Sequence, residues 1–340
     1  MAESHPDTPA PVSRREFVKV VGAATLAAAG PLAGAGRVLA AAPAGPSPAA
    51  PAETAVARFF ASLKDAQRKL ICFPFDDTKR SQVNNNWAIV KPTIADLTPD
   101  QQALCREIFK GLCSEDGHGR FMRQMEDDYG GFDKYHVAVF GEPGSDKPFE
   151  WVLSGRHDTL RADGNSVEGA AFGGPIFYGH DATGSGNDDK AHTDNVWWYQ
   201  GIQANKIYAT LDDKQKTRAL VDKAEPDAPR VIKLKGDALP DVGLPVADLD
   251  GQQKQMVQQL LKDLTTPFRA FDVEEVQECL REAGGADKLR LTFFKEGDIG
   301  KDGVWDIWKL EGPAFSWYFH GSPHVHTWVN IARKAPSSQA

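Results

Sequence analysis

Ala95-Asp96-Leu97-Thr98-Pro99-Asp100-Gln101 recurs later in the chain as Ala247-Asp248-Leu249-Asp250-Gly251-Gln252-Gln253. Both copies carry a helix-start signal: a side-chain oxygen at Thr98 or Asp250, and a glutamine three residues on that can reach back to the cap's own N–H. Pro99 suits the first helical position, where a missing N–H costs nothing. Three other segments repeat in the same order. Ser62–Arg68 (SLKDAQR) returns as Thr210–Lys216 (TLDDKQK), Tyr135–Phe140 (YHVAVF) as Leu289–Phe294 (LRLTFF), and Trp151–Gly155 (WVLSG) as Trp308–Gly312 (WKLEG). Collinear matches at nearly constant spacing predict duplication of a unit far longer than a solenoid repeat.

Each unit reads as helices followed by strands. Glu53–Leu70 places Val56, Phe59, Phe60, Leu63 and Leu70 on one helical face, and the two capped helices run to near Cys113 and Leu264. After a further helical segment, period-two alternation sets in over 134–141 with 149–154, and over 289–295 with 304–310, each pair bridged by a glycine-rich loop. The expected fold is α+β. It consists of internally duplicated helix-then-antiparallel-strand units, 53–194 and 195–332, related by a pseudo-twofold axis.

Ser13-Arg14-Arg15-Glu16-Phe17-Val18-Lys19, followed by an Ala/Gly-rich run, matches a twin-arginine export signal. Val18 to Leu39 is too rich in Ala and Gly for a membrane span. Cleavage after Ala40 or Ala42 is expected. The reading is therefore a signal peptide over 1–42, a Pro/Ala linker over 43–52 and a disordered tail over 333–340. The export machinery is the expected partner, with a periplasmic or secreted destination and no stable membrane anchor after processing. Such signals usually carry proteins that fold, often around a cofactor, before crossing. The net charge of −8 argues against nucleic acid. Cys72, Cys105, Cys113 and Cys279 form no CxxC pair. One disulfide would suit an oxidising compartment; buried free thiols fit the helical pattern equally well.

Histidines cluster where the two units end. His324-Val325-His326 lies in a strand-like segment, and i, i+2 spacing on a strand points both imidazoles to one face. His157 follows the Trp151–Gly155 strand, His180 closes Gly173–Gly179, and His320 precedes His324 by one helical turn's length of sequence. Neutral imidazole suits zinc, copper, iron or manganese; taken alone, an HxH pair is more often two solvated histidines. The expectation is one asymmetric metal site in the seam between the units. His157, His324 and His326 would hold the metal, His180 or His320 would complete the shell, and Glu168 or Glu311 would be the proton shuttle for a small-molecule substrate.

Leu63 to Arg68, Phe73-Pro74-Phe75-Asp76-Asp77, Ser154-Gly155-Arg156-His157-Asp158, Gly174–Gly179 and His324-Val325-His326-Thr327-Trp328-Val329 together resemble the domain-of-unknown-function 3500 family. Its members show an LxxxQR helix, an FPFDD-type segment, an EGHHL-like strand end, a TPxFxG run and a terminal HxHxxWR motif. Ser154 and Arg156 stand where that pattern has Glu and His, and Asn330 replaces its charged end. The resemblance implies a fold-wide pattern and no reaction.

Other chemistries score lower. There is no GxGxxG, no P-loop and no GxSxG elbow. Asp181 to Asp194 is acidic and glycine-rich but lacks EF-hand spacing. Trp197-Trp198 would serve a sugar-binding surface or helix packing alike. A metal with an open position would activate water or bind dioxygen. The competing reading is a non-catalytic periplasmic protein that binds a small ligand or carbohydrate.

Overall fold

Thr98 and Asp250 cap helices. In the computed structural model, which describes residues 47, 49–188, 194–299 and 304–335, the Gln101 N–H reaches Thr98 Oγ1 at 3.4 Å and the Gln253 N–H reaches Asp250 Oδ1 at 2.8 Å. Each glutamine side chain returns a bond to its cap's N–H. The leader 1–42 lies outside the described residues. Among those described, the α-helices are Pro51–Ser62 (α1), Asp65–Ile71 (α2), Pro99–Leu112 (α3), Glu115–Tyr129 (α4), Trp198–Thr210 (α5), Asp213–Ala219 (α6), Gly251–Thr265 (α7) and Ala270–Glu282 (α8). No helix among them is long and apolar enough to cross a membrane.

The expected single helix from Glu53 to Leu70 is broken at Leu63–Lys64, and it begins at Pro51, inside the expected linker. Ser62's carbonyl is taken by the Gln101 side chain at 3.0 Å, and Gln67 caps Lys64 N at 3.0 Å, so one helix stops and another starts across two extended residues. Leu70 consequently leaves the buried face and is 56 % exposed. The same set of bonds occurs around Gln253, whose Nε2 donates to Thr210 O and Gln215 Oε1.

Among the described residues eleven strands form one sheet: Cys72–Phe73 (β1), His136–Gly141 (β2), Phe149–Gly155 (β3), Asp158–Ala162 (β4), Ile176–His180 (β5), Leu220–Val221 (β6), Leu244–Pro245 (β7), Arg290–Phe294 (β8), Ile307–Gly312 (β9), Phe315–His320 (β10) and Val325–Ile331 (β11). Their order is β1-β2-β3-β4-β5-β11-β10-β9-β8-β6, with β7 also on β8. The protein is thus a mixed α/β molecule. β5 and β11 meet antiparallel at the centre, His180 opposite Val325 and Ile176 opposite Val329.

Alternate residues of these central strands serve two cores. Ile176 and Tyr178 with Val325, Val329 and Ile331 join the large core shared with the helices. Phe177 and Trp328 turn the other way, packing with Tyr318 beneath Val83, Val231 and Ile232 from two irregular covering segments. The helical layer is tied across the chain by Arg269, whose guanidinium grips Glu53 at 2.8 and 2.9 Å and Asp272 at 3.0 Å. Gly117 permits the close approach of the α3–α4 corner to the α7–α8 corner, since a Cβ there would lie 1.9 Å from Pro267 O. All four cysteines are free thiols.

Candidate metal centre

His157 sits in the two-residue turn between β3 and β4, where Gly155 pairs with Asp158. Its backbone has φ +63°, a conformation L-residues rarely adopt, and is held there by His157 N–H to Asn85 O at 2.7 Å and Gly179 N–H to His157 O at 2.9 Å. His324 lies just before β11 and His326 within it, so the expected strand pair is a strand residue and its loop neighbour. The three rings nevertheless converge. One ring nitrogen from each lies within 4.8 Å of the others, and His324 Nε2 stands 3.0 Å from His326 Nε2.

What faces the other nitrogen of each ring decides the protonation. His157 Nδ1 meets Asp128 Oδ2 at 2.8 Å, His326 Nδ1 meets Asp227 Oδ2 at 2.5 Å, and His324 Nδ1 meets Gly186 O at 3.1 Å. Gly186 O and the two carboxylates when ionised only accept, so each Nδ1 then carries the proton. Burial drives the His157 imidazole well below its ordinary pKa, with the neighbouring His324 adding to the shift. Burial also lowers His326, to about 4, against the opposing pull of Asp227. For neutral rings donating from Nδ1, every Nε2 is a bare lone pair. Two such lone pairs 3.0 Å apart repel unless a proton or a metal ion lies between them.

The carboxylates behind the rings differ. Burial raises Asp227, but its bond with His326 and that ring's charge outweigh it and leave the acid at about 2. Trp328 Nε1 donates to its other oxygen at 2.7 Å. Asp128 is pushed up to about 6 by burial, although Asp181 N–H and Gln124 Nε2 each donate to it at 2.8 Å. Neither acid stood out in the sequence: Asp128 ends an acidic helix and Asp227 sits in a proline-rich loop, and no local spacing marks either one.

The family described as "Protein of unknown function (DUF3500)" matches residues 46–329. The chain belongs to the DUF3500 family. No curated protein and no solved structure matches it. Two of the segments that carry the likeness, Ser154–Asp158 and His324–Val329, are those whose histidines meet. Where this member departs from the family pattern, Ser154 Oγ accepts Ile89 N–H at 3.0 Å and Arg156 pairs with Asp181 at 3.0 Å.

The remaining expected site residues are placed elsewhere. His180 uses both nitrogens, Nε2 on Asp127 at 3.2 Å and Nδ1 accepting from Val196 N–H at 3.1 Å, so it has no lone pair to spare for a metal. His320 lies opposite His326 in register, and its buried Nδ1 has no hydrogen-bond partner. Glu311 pairs with Lys309 and Lys235, four positions along the sheet from the row of Ile307, His320 and His326, about 13 Å by strand rise. Glu168 is largely exposed beside Arg333, beyond the far end of β11. Neither glutamate is positioned as a shuttle at these histidines. Trp197 and Trp198 are buried, which removes them from any sugar-binding surface. Asp181 and Asp188 are bonded to backbone and side-chain donors in and around their own loop; residues 189–193 of that acidic stretch lie outside the described residues.

Proposed function

We propose that this chain is an exported, metal-dependent protein whose His157, His324 and His326 hold one transition metal ion, and that the site serves catalysis on a small molecule. The facing Nε2 lone pairs carry the reading. Tetrahedral ligand nitrogens about 2.0–2.1 Å from a zinc ion stand about 3.3–3.4 Å apart, a few tenths of an ångström more than the 3.0 Å between His324 and His326. Acceptors on each Nδ1 are the outer partners that metal-bound histidines require. A three-histidine set leaves a coordination position open, the pattern of catalytic rather than structural zinc sites.

When bound, the metal would supply Lewis acidity or an activated water. The chain's part is to orient three neutral imidazoles, with Asp128, Asp227 and Gly186 O fixing their tautomers. The palindromic strand order and the twin Gln101 and Gln253 caps support duplication about a pseudo-twofold axis, which brings one end of each unit to the β5–β11 seam. Twin-arginine export of a folded, metal-loaded chain to the periplasm fits this reading, since a metal acquired on folding would survive passage. A non-catalytic ligand-binding role is the competing reading; it would fit a metal whose remaining position proves closed.

The experiment is metal content per chain, by elemental analysis, for natively exported wild type and for His157→Ala, His324→Ala and His326→Ala. Near-stoichiometric metal in the wild type and its loss in each variant are expected. A metal-free wild type, or variants that retain the metal, would overturn the assignment.

A further inference from the structure

The two covering segments do not close completely over the sheet. Between them lies a cleft of about 400 Å³, lined by Gln82, Asn84, Pro175, Pro229, Lys233 and Asn330 among others. It is separate from the histidines. Asn330 lies four residues along β11 from His326, about 13 Å, and the fully buried Trp328 and Phe177 stand between.

The cleft walls are fixed from below by the buried Arg161 and Thr159 and the half-buried Asn330. Arg161, itself paired with Glu150 at 2.5 Å, donates to Pro175 O at 2.7 Å, to Gln82 O at 2.6 Å and to Arg80 O. Thr159 Oγ1 donates to Asn84 O at 2.9 Å, and Asn330 Nδ2 to Ile232 O at 3.0 Å. Backbone held this way does not have to be ordered when a ligand arrives, which removes part of the cost of binding.

The lining sets the ligand chemistry. No carboxylate borders the cleft, and Lys233 is its charged group. Lys235 and Lys309 nearby are neutralised by Glu311 and Glu225, whereas Lys233 makes no ion pair among the described residues. In a chain of net charge −8 this leaves a local positive spot. A single ammonium is a point charge that balances the one negative charge of a carboxylate, whereas a phosphate carrying two would be left partly unbalanced, with no arginine fork or nest of backbone N–H groups beside it. Gln82, Asn84 and Asn330 offer amides that both donate and accept, as hydroxyl groups require. Pro175, Pro229 and Ile232 supply flat apolar contact. The volume falls in the range of small-molecule pockets, about 300–1,000 Å³.

We propose that this cleft binds a small hydroxylated carboxylate the size of a sugar acid, its carboxylate on Lys233 and its hydroxyls on the Gln82, Asn84 and Asn330 amides. This assignment does not rest on the histidine site.

Calorimetric titration of the full exported protein with D-galacturonate, D-gluconate, D-galactose and inorganic phosphate, each with and without EDTA, tests it. Saturable binding of at least one of the two acids is expected, at least tenfold tighter than galactose or phosphate and unchanged by EDTA. Lys233→Glu should weaken that binding at least tenfold, while Lys223→Glu, an equal change of charge outside the cleft, should not. The proposal is overturned by no saturable binding of either acid, by equal binding of phosphate or galactose, by loss of binding in EDTA, which would place the acid on the histidines, or by equal affinities in the two lysine variants.

Discussion

At the scale of single residues, the acids behind the rings govern the site as much as the rings do. Asp227 holds the His326 Nδ1 proton and also accepts from Trp328, so its removal frees the ring to turn and to change tautomer. Losing such an outer partner typically costs 10–100-fold in metal affinity. Asp227→Ala should therefore weaken metal binding by roughly that factor while leaving the three ligands in place, measured by competition against a chelator of known affinity. Glu311→Gln and Glu168→Gln should leave it unchanged, since both glutamates sit far along the sheet; a weakened Glu311→Gln would return that residue to the site. The histidines were legible in the sequence because residue type and i, i+2 spacing are local. Asp128 and Asp227 were not, because each reaches its histidine across 29 and 99 residues of chain.

Among the elements, those with a local rule are the ones the sequence announces. Both capping boxes and the strand pairs 136–141 with 149–155 and 290–294 with 307–312 follow from periodicity and cap chemistry. The break at Leu63 was hidden because it depends on a tertiary bond, Gln101 Nε2 to Ser62 O, that no pattern within the helix records. The covering segments carrying Val83 and Ile232 were equally hidden, having no period to read. The caps themselves should differ in strength. Asp250 makes the shorter bond, 2.8 Å against 3.4 Å, and adds a negative charge at the positive end of the helix. Losing an N-cap oxygen costs about 1 kcal/mol, so Asp250→Ala should fall above that value and Thr98→Ala below it in urea denaturation midpoints. The reverse order would show that the cap bonds do not set these helix starts.

For the molecule as a whole, stability against pH is decided by buried acids in the helical layer opposing buried histidines in the sheet. Burial pushes Asp163 up to about 6, Asp272 to about 7 and Glu275 to about 8, the Arg269 cation only partly offsetting it at the last two. A carboxyl raised on folding binds more protons in the folded state, so its stabilisation is complete below its unfolded pKa near 4 and is lost as pH rises through the folded value. The depressed histidines act in the opposite direction: His326, lowered to about 4, destabilises the fold progressively as pH falls from 6.5 towards 4. Above pH 7 the depressed histidines carry few protons in either state, and Glu275, raised to about 8, keeps the largest slope, approaching about 1.4 kcal/mol per pH unit. The melting temperature of protein stripped with EDTA should therefore fall from pH 7 to pH 8, and Glu275→Gln should flatten that fall because its amide cannot ionise. EDTA matters here, since metal binding would add its own rise with pH as ligand protons are displaced. A flat or rising wild-type profile, or an equal slope in Glu275→Gln, would mean that Arg269 shares its charge widely enough to keep Glu275 ionised, and the clamp from Glu53 to Arg269 would then be an ion network at neutral pH instead of a proton-holding one.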